Sequence, residues 1–298
     1  MFDDDSDIPI PKNEYQSGES VTVEKRKCED CGHNSQQVWY NAGRDNYTSH
    51  CYHCDEQKGD PYNGGKAGIV VAVKTPEEKM AEAMELTECP LFGEALNNPY
   101  RGIPPSFFNS WRIRLLFSEY DGKTPYAVGF PYTAKGGLCG YKIRLLKLKK
   151  FWAVGRTKHF ADMFGLERAL KIGGDTLYIT EGEFDAIALD YALCTVLGGD
   201  GYAVVSLTNG GGTILDDLRQ VWSKLNRFKR IVLVLDNDEV GLNAQRNAQL
   251  AYDKVLIGAV PDGCKDSNDA VKQHKMTELV NLIQHEATRT LEGWEDEW

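Results

Sequence analysis

Two sets of residues have the types and spacing to do chemistry: paired cysteines near one end, and acids that close apolar runs near the other. Cys28 and Cys31, then Cys51 and Cys54, form a C-x2-C, 19 residues, C-x2-C pattern. Each pair spans a tight knuckle that aims two thiolates at one ion, and four thiolates are a complete tetrahedral donor set for structural Zn2+. A filled coordination sphere leaves no position for catalysis at that metal. His50 and His53 lie close enough to be alternative ligands in place of a cysteine. Cys89, Cys139, Cys194 and Cys264 stand singly, as free thiols of a reducing cytoplasm do, so no disulfide framework is expected.

The acids are Glu181, directly after LYIT in T-E-G-E-F-D-A; Asp236 and Asp238, directly after IVLVL in D-N-D-E; and Asp266, after KVLIGAV in K-D-S-N-D. If those runs are parallel strands, all four acids arrive at one edge, where ligands of open parallel sheets bind. Clustered carboxylates repel unless cations neutralise them, and oxygen donors suit Mg2+ or Mn2+. Each Asp alone could equally be a helix N-cap, and for Asp266 both readings stand.

The elements that must position these groups follow from patterning. LYIT, AVVSL, IVLVL and KVLIGAV are short β-branched runs separated by amphipathic segments (EFDAIALDYA, TILDDLRQVWSKL, VGLNAQRNAQLAY), so the spacing predicts a mostly parallel sheet with helices on both faces. A last amphipathic helix is expected over MTELVNLIQHEA. Strands are expected at 126–132 and 138–146, and Thr75-Pro76-Glu77-Glu78 has the form of a capping box that opens a helix to about Leu86. The organisation expected is an acidic, disordered 1–24; a metal ribbon, 25–56; a Gly-rich linker, 57–75, with a possible short strand at 69–73; a basic subdomain, 76–172; the α/β domain, 173–275; a helix, 276–291; and an acidic tail with two Trp, 292–298.

The 298 residues are 42% hydrophobic and 26% charged, ordinary for a globular chain with a core. No apolar run is long enough to span a membrane and the acidic start does not resemble a signal peptide, so neither a membrane nor a secreted protein is expected. The net charge of −10 argues against nucleic acid until its distribution is read. Residues 1–24 carry −6 and 292–298 carry −4, leaving a neutral body. Within it, Lys142, Arg144, Lys147, Lys149, Lys150, Arg156 and Lys158 form a stripe free of acids that could bind phosphates, with Phe151 and Trp152 inside it. A solvated surface hairpin is the plainer reading of Lys147, Lys149 and Lys150. Between the cysteine pairs lie Trp39, Tyr40, Arg44, Asn46, Tyr47 and His50, the residue types that read single-stranded bases by stacking and edge hydrogen bonds. Trp39 and Tyr40 could instead fill the ribbon's small core.

A strand ending in E-G-x-x-D and a later strand ending in D-x-D resemble the Toprim domain of bacterial-type primases, topoisomerases, OLD-family nucleases and RecR proteins. Y-R-G-I (100–103), K-I-R (142–144), A-D-M-F-G (161–165) and V-S-L-T-N-G (205–210) further resemble the primase half of the T-seven-type phage primase–helicases. The resemblance implies an α/β fold with a four-Cys zinc ribbon and an RNA polymerase domain ending in a Toprim fold. It implies a DNA primase that makes RNA primers from NTPs on single-stranded DNA template, in the cytoplasm of an infected bacterial host. It assigns Glu181, Asp185, Asp236, Asp238 and Asp266 to catalytic metal, with Glu181, Asp236 and Asp238 as the acidic triad. Lys142, Arg144 and Asn209 then face the nucleotide. The alternatives are a Toprim nuclease and a non-catalytic RecR-like mediator. No G-x4-G-K-[S/T] occurs, so a separate replicative helicase is expected as partner, with DNA polymerase or single-strand-binding protein as further candidates. Thr48 stands where the phage family places a template-reading His, so no particular template triplet is implied.

Overall fold

The computed structural model describes residues 20–41, 46–59, 61–62, 75–118, 121–148, 150–157, 160–208 and 211–295. Residues 1–19, the strand suggested at 69–73, Arg44, Lys149, Lys158, Asn209 and residues 296–298 lie outside them. The chain forms two compact units that divide between Lys79 and Met80.

The first unit is an antiparallel sheet in the order β1 (Ser20–Arg26), β2 (Gln36–Asn41), β3 (Asn46–Cys51), β4 (Gln57–Lys58). β1 begins inside the segment expected to be disordered, which corrects that expectation from Ser20 onward. Its Val-Thr-Val run favours extended backbone, and pairing with β2 satisfies that backbone despite the acidic surroundings. The capping box opens α1 (Pro76–Glu85): Glu78 N–H donates to the Thr75 hydroxyl (3.2 Å), and Thr75 N–H donates to the Glu78 carboxylate (2.7 Å).

In the second unit, a short 3-10 turn, α2 (Phe92–Ala95) and α3 (Pro105–Ser110) precede an antiparallel meander, β5 (Arg114–Phe117), β6 (Pro125–Ala134), β7 (Gly137–Leu145) and β8 (Phe151–Gly155). After α4 (Leu166–Ile172) come β9 (Thr176–Thr180), α5 (Glu183–Leu197), β10 (Val204–Ser206), α6 (Ile214–Leu225), β11 (Arg230–Val234), α7 (Glu239–Ala251), β12 (Val255–Ile257), α8 (Ser267–Lys272) and α9 (Met276–Glu295). The four strands among these are parallel, in the order β10-β9-β11-β12.

Both faces of the parallel sheet are buried, as its continuous apolar strands require. Ile231, Leu233 and Leu177 face a core shared with α4, α6 and α7. Val232, Val234 and Tyr178 face a second core that also contains Val128, Phe130 and Tyr132 of β6, so the two sheets of this unit share one interior. α5 runs through it. Phe184, Ile187, Ala188, Leu189 and Leu193 are all buried, so α5 is a helix apolar on most sides and not the amphipathic one its segment was expected to form. Leu279, Val280 and Ile283 seat α9 on the same core. Its backbone stays helical to Glu295, past the expected end at 291 and into the segment expected to be tail.

Candidate active site

In the first unit the four thiols converge, with all four sulfurs within 4.8 Å of one another. Cys28 and Cys54 sulfurs are 3.8 Å apart, and those of Cys31 and Cys51 3.6 Å. A tetrahedron of thiolates about 2.3 Å from zinc has edges of about 3.8 Å, so the donor set fits that ion. The Ser35 hydroxyl, 3.2 Å from the Cys51 sulfur, and the backbone N–H groups of Cys54 and His53 outweigh burial and bring this thiol down to about 5, toward the thiolate that binds metal. His50 is turned to Asp55 (2.7 Å), and His53 stacks on His33 (3.5 Å between ring centres). The metal-ligating group therefore consists of the cysteines.

Strand register divides the ribbon's aromatic and polar residues between two faces, because side chains alternate along a strand and directly paired residues share a side. Tyr40 pairs with Tyr47, Val38 with Ser49 and Gln36 with Cys51, and Val38, Gln36, Ser49 and Cys51 are buried. Tyr47 belongs to this core face, its ring 5.1 Å from Tyr40 and 5.0 Å from Tyr62. This separates it from the other expected base readers, Asn46 and His50. Those two share the opposite face with Trp39 and Thr48. Tyr52 stands beside them, 65% exposed, 6.4 Å from Trp39 and 4.8 Å from His50. Register parity puts Trp39 on the face opposite the buried Val38 and Ser49, where it is half-buried.

In the second unit the acids come from three chain segments at one edge of the parallel sheet. Oxygens of Asp185, Asp236 and Asp266 lie within 4.8 Å of one another. Three carboxylate oxygens gathered this closely could hold a hard divalent cation, which takes oxygen ligands. Burial, then the charges of Asp266 and Asp236, push the Asp185 carboxyl well above its ordinary range. Asp236 is raised chiefly by burial, against the Lys265 ammonium at 2.7 Å. A cation among them would reverse these shifts.

Glu181 and Asp238 stand outside the trio. Burial and then Asp236 raise the Glu181 carboxyl, while the Gly211 N–H opposes them; its Oε2 is buried with no hydrogen-bond partner among the described residues. Asp238 caps α7, accepting from Gly241 N–H at 3.0 Å, and Asp266 caps α8, accepting from Asp269 N–H at 2.7 Å. Asp266 is thus a helix cap and also one of the three carboxylates that could hold a metal. Gly182 of E-G-x-x-D has a steric reason: a Cβ there would sit 2.7 Å from Asp185 Oδ2.

A cationic rim adjoins α5. Lys142 and Arg144 on β7 lie 5.3 Å from the exposed Phe151 ring, and Arg144 also lies 5.1 Å from Phe184. Burial and the neighbouring Arg101 lower the Arg144 guanidinium. Arg101, 4.4 Å over Phe184, donates to Asn268 Oδ1 (2.9 Å), and Asn268 N–H reaches Asp185 (3.4 Å). Lys142 is bound to Glu183 rather than free. Sequence reasoning missed Arg101, Asn268 and Glu183 as site neighbours; Y-R-G-I and the x of E-G-x-x-D held two of them without indicating a contact. Trp152 pairs with Ile143 and packs on the opposite side of the meander from Phe151. Arg156 lies 3.9 Å over Phe160, and Lys150 is exposed.

Residues 178–271 match a family described as Toprim-like, and this segment is a Toprim domain. Over most of its length the chain is similar in fold to solved primase structures. It is similar to the primase fragment of the bacteriophage T7 primase–helicase protein: TM-score 0.53 and 23% identity, covering 88% of this chain and 100% of that one. It is also similar to a chain in a structure of the bacteriophage T7 lagging-strand DNA polymerase interacting with primase domains of two gp4 subunits bound to an RNA/DNA hybrid and dTTP. There the TM-score is 0.52 and the identity 25%, covering 62% of this chain and 88% of that one.

Proposed function

We propose that the protein is a DNA primase, a DNA-directed RNA polymerase that makes short RNA primers on single-stranded DNA during phage replication. The observation that carries this is the Asp185, Asp236 and Asp266 trio at the edge of a Toprim sheet, inside a fold like that of a primase fragment.

The reaction is attack of a ribose 3′-hydroxyl on the α-phosphorus of an NTP, with pyrophosphate leaving. Asp185, Asp236 and Asp266 would hold Mg2+ or Mn2+, joined by the Asp238 oxygen not used in capping. When bound, such ions align the two oxygens of the displacement and neutralise the triphosphate. Glu181, buried and raised, is suited to accept the 3′-hydroxyl proton at Oε2. Lys142, Arg144 and Asn209 bind the triphosphate. Lys147, Lys149, Lys150, Arg156 and Lys158, with Phe151, hold the template. The ribbon, carrying one structural Zn2+, reads the template start with Asn46, His50 and Arg44.

The work is thus divided between residues 25–56 and 76–275. A replicative helicase is the proposed partner, with 292–298 as its docking candidate, and the site of action is the host cytoplasm. Among the described residues no helix is long and apolar enough to cross a membrane. Incubation with single-stranded DNA, labelled NTPs and Mg2+ or Mn2+ tests the reading. Short RNA products support it, while DNA cleavage or DNA binding without chemistry would replace it with the nuclease or the mediator.

A further inference from the structure

The segment Glu181-Gly182-Glu183-Phe184-Asp185 sends three acids in three directions. Asp185 joins the metal-suited trio and Glu181 stands beside it. Glu183, the first residue of α5, turns the other way and is 6% exposed. Its Oε1 accepts from the Tyr132 hydroxyl at 2.7 Å and lies 2.7 Å from the Lys142 ammonium. Tyr132 on β6 is itself buried at 2%. One carboxylate oxygen therefore ties both central strands of the meander to the helix that carries Asp185.

We infer that Glu183 is a positioning residue that presets Lys142 for the triphosphate of the incoming nucleotide. This rests on the proposed nucleotidyl transfer at the neighbouring acids. A buried ion pair is a weak way to stabilise a fold, since apolar side chains of similar volume do as well or better. What the pair does provide is position. A free lysine explores many rotamers on its four-carbon stem, and a ligand that must fix it loses affinity to that entropy. Here the cost is met on folding. The ammonium has three donors, of which Glu183 engages one side, and the Lys142 side chain stays 28% exposed. The remaining donors are open to an anion. α5 is largely buried from Glu183 to Leu193, so the first turn that holds Asp185 also fixes where Lys142 sits.

The test compares the wild-type chain with Glu183→Gln, which keeps the shape and the Tyr132 hydrogen bond but removes the charge. Two readouts are used: primer synthesis at varied ATP, and acetylation of Lys142 by acetic anhydride, followed by mass spectrometry with and without ATP and Mn2+. The expected result is a KM for ATP raised about tenfold with kcat within about twofold, and loss of the protection that ATP gives Lys142 in the wild type. Unchanged KM and protection, or a fall in kcat alone, overturns the inference. If Glu183→Gln does not fold, Glu183→Asp, which draws the charge back by one methylene, is read by the same two measures. A wild type that makes no primer yet shows ATP protection of Lys142 refutes the polymerase reading while leaving the positioning role. A wild type in which ATP gives Lys142 no protection refutes the positioning role itself.

Discussion

The ribbon and the Toprim edge both gather acidic ligands suited to a metal, but they support those ligands differently. Among the described residues, the ribbon's thiols sit on two knuckles over a small core centred on Gln36, Val38, Ser49 and the buried cysteines Cys28 and Cys51, flanked by Tyr40, Tyr47 and Tyr62. Such a core cannot offset the entropy of ordering its chain, so the metal must supply folding energy, on the order of 10 kcal/mol for a structural zinc. The carboxylates are held by strand ends and helix starts anchored in two large cores. Their scaffold stands without a metal, and mutual repulsion is what an ion would relieve. On the proposed reading, one metal would make its unit, and the other would be received by a unit already made.

The sharpest way to break this contrast is Asp236→Asn. It should lower metal-dependent primer synthesis by about a thousandfold, while circular dichroism and thermal unfolding of the second unit stay as in the wild type. Comparable synthesis by the variant would remove the carboxylates from the chemistry. Zinc removal by a chelator, or Cys51→Ser, should do the opposite. Amide hydrogen exchange across 25–56 should become fast by about a hundredfold or more, with protection in 176–283 unchanged.

Asp238 sharpens the comparison within the acids. Asn is as good an N-cap as Asp, so Asp238→Asn isolates the charge; we expect about a tenfold loss of synthesis and no loss of stability. Asp238→Ala should add about 1 kcal/mol of destabilisation, read by denaturant unfolding. The smallest effects should come from the ribbon's two faces. Trp39→Ala should weaken single-stranded template binding by about 1–2 kcal/mol and leave zinc retention intact, whereas Tyr47→Ala should loosen the ribbon itself.

What was legible in the sequence was what local spacing or punctuation encodes. Paired cysteines need only two turns to converge, so their grouping could be read directly. Acids closing β-branched runs gave the edge of the parallel sheet, because apolar strands between helices must be covered on both faces. The family resemblance named all five acids, but which of them converge most tightly was not legible. Asp185, Asp236 and Asp266 come together through the packing of α5 and α8 against the strand ends, which no single segment states. Tyr47 and His50 looked alike as base readers, yet register parity puts them on opposite faces. Glu183 was an unmarked position in a motif, and its partners Tyr132 and Lys142 belong to a different sheet. β1 was hidden by composition, since its valines lie in a segment whose average is acidic.

The central claim is that the two metal-suited sites do separable work, selection of a start at the ribbon and bond formation at the carboxylates. One measurement addresses it directly: the full chain, as isolated and after zinc removal, assayed on bare single-stranded DNA and on the same DNA carrying a pre-annealed RNA primer. The account predicts that zinc removal abolishes new primers on bare template while extension of the annealed primer continues within a few-fold of the untreated rate. Equal loss of both activities in a chain whose second unit remains folded, or persistence of both, would contradict it.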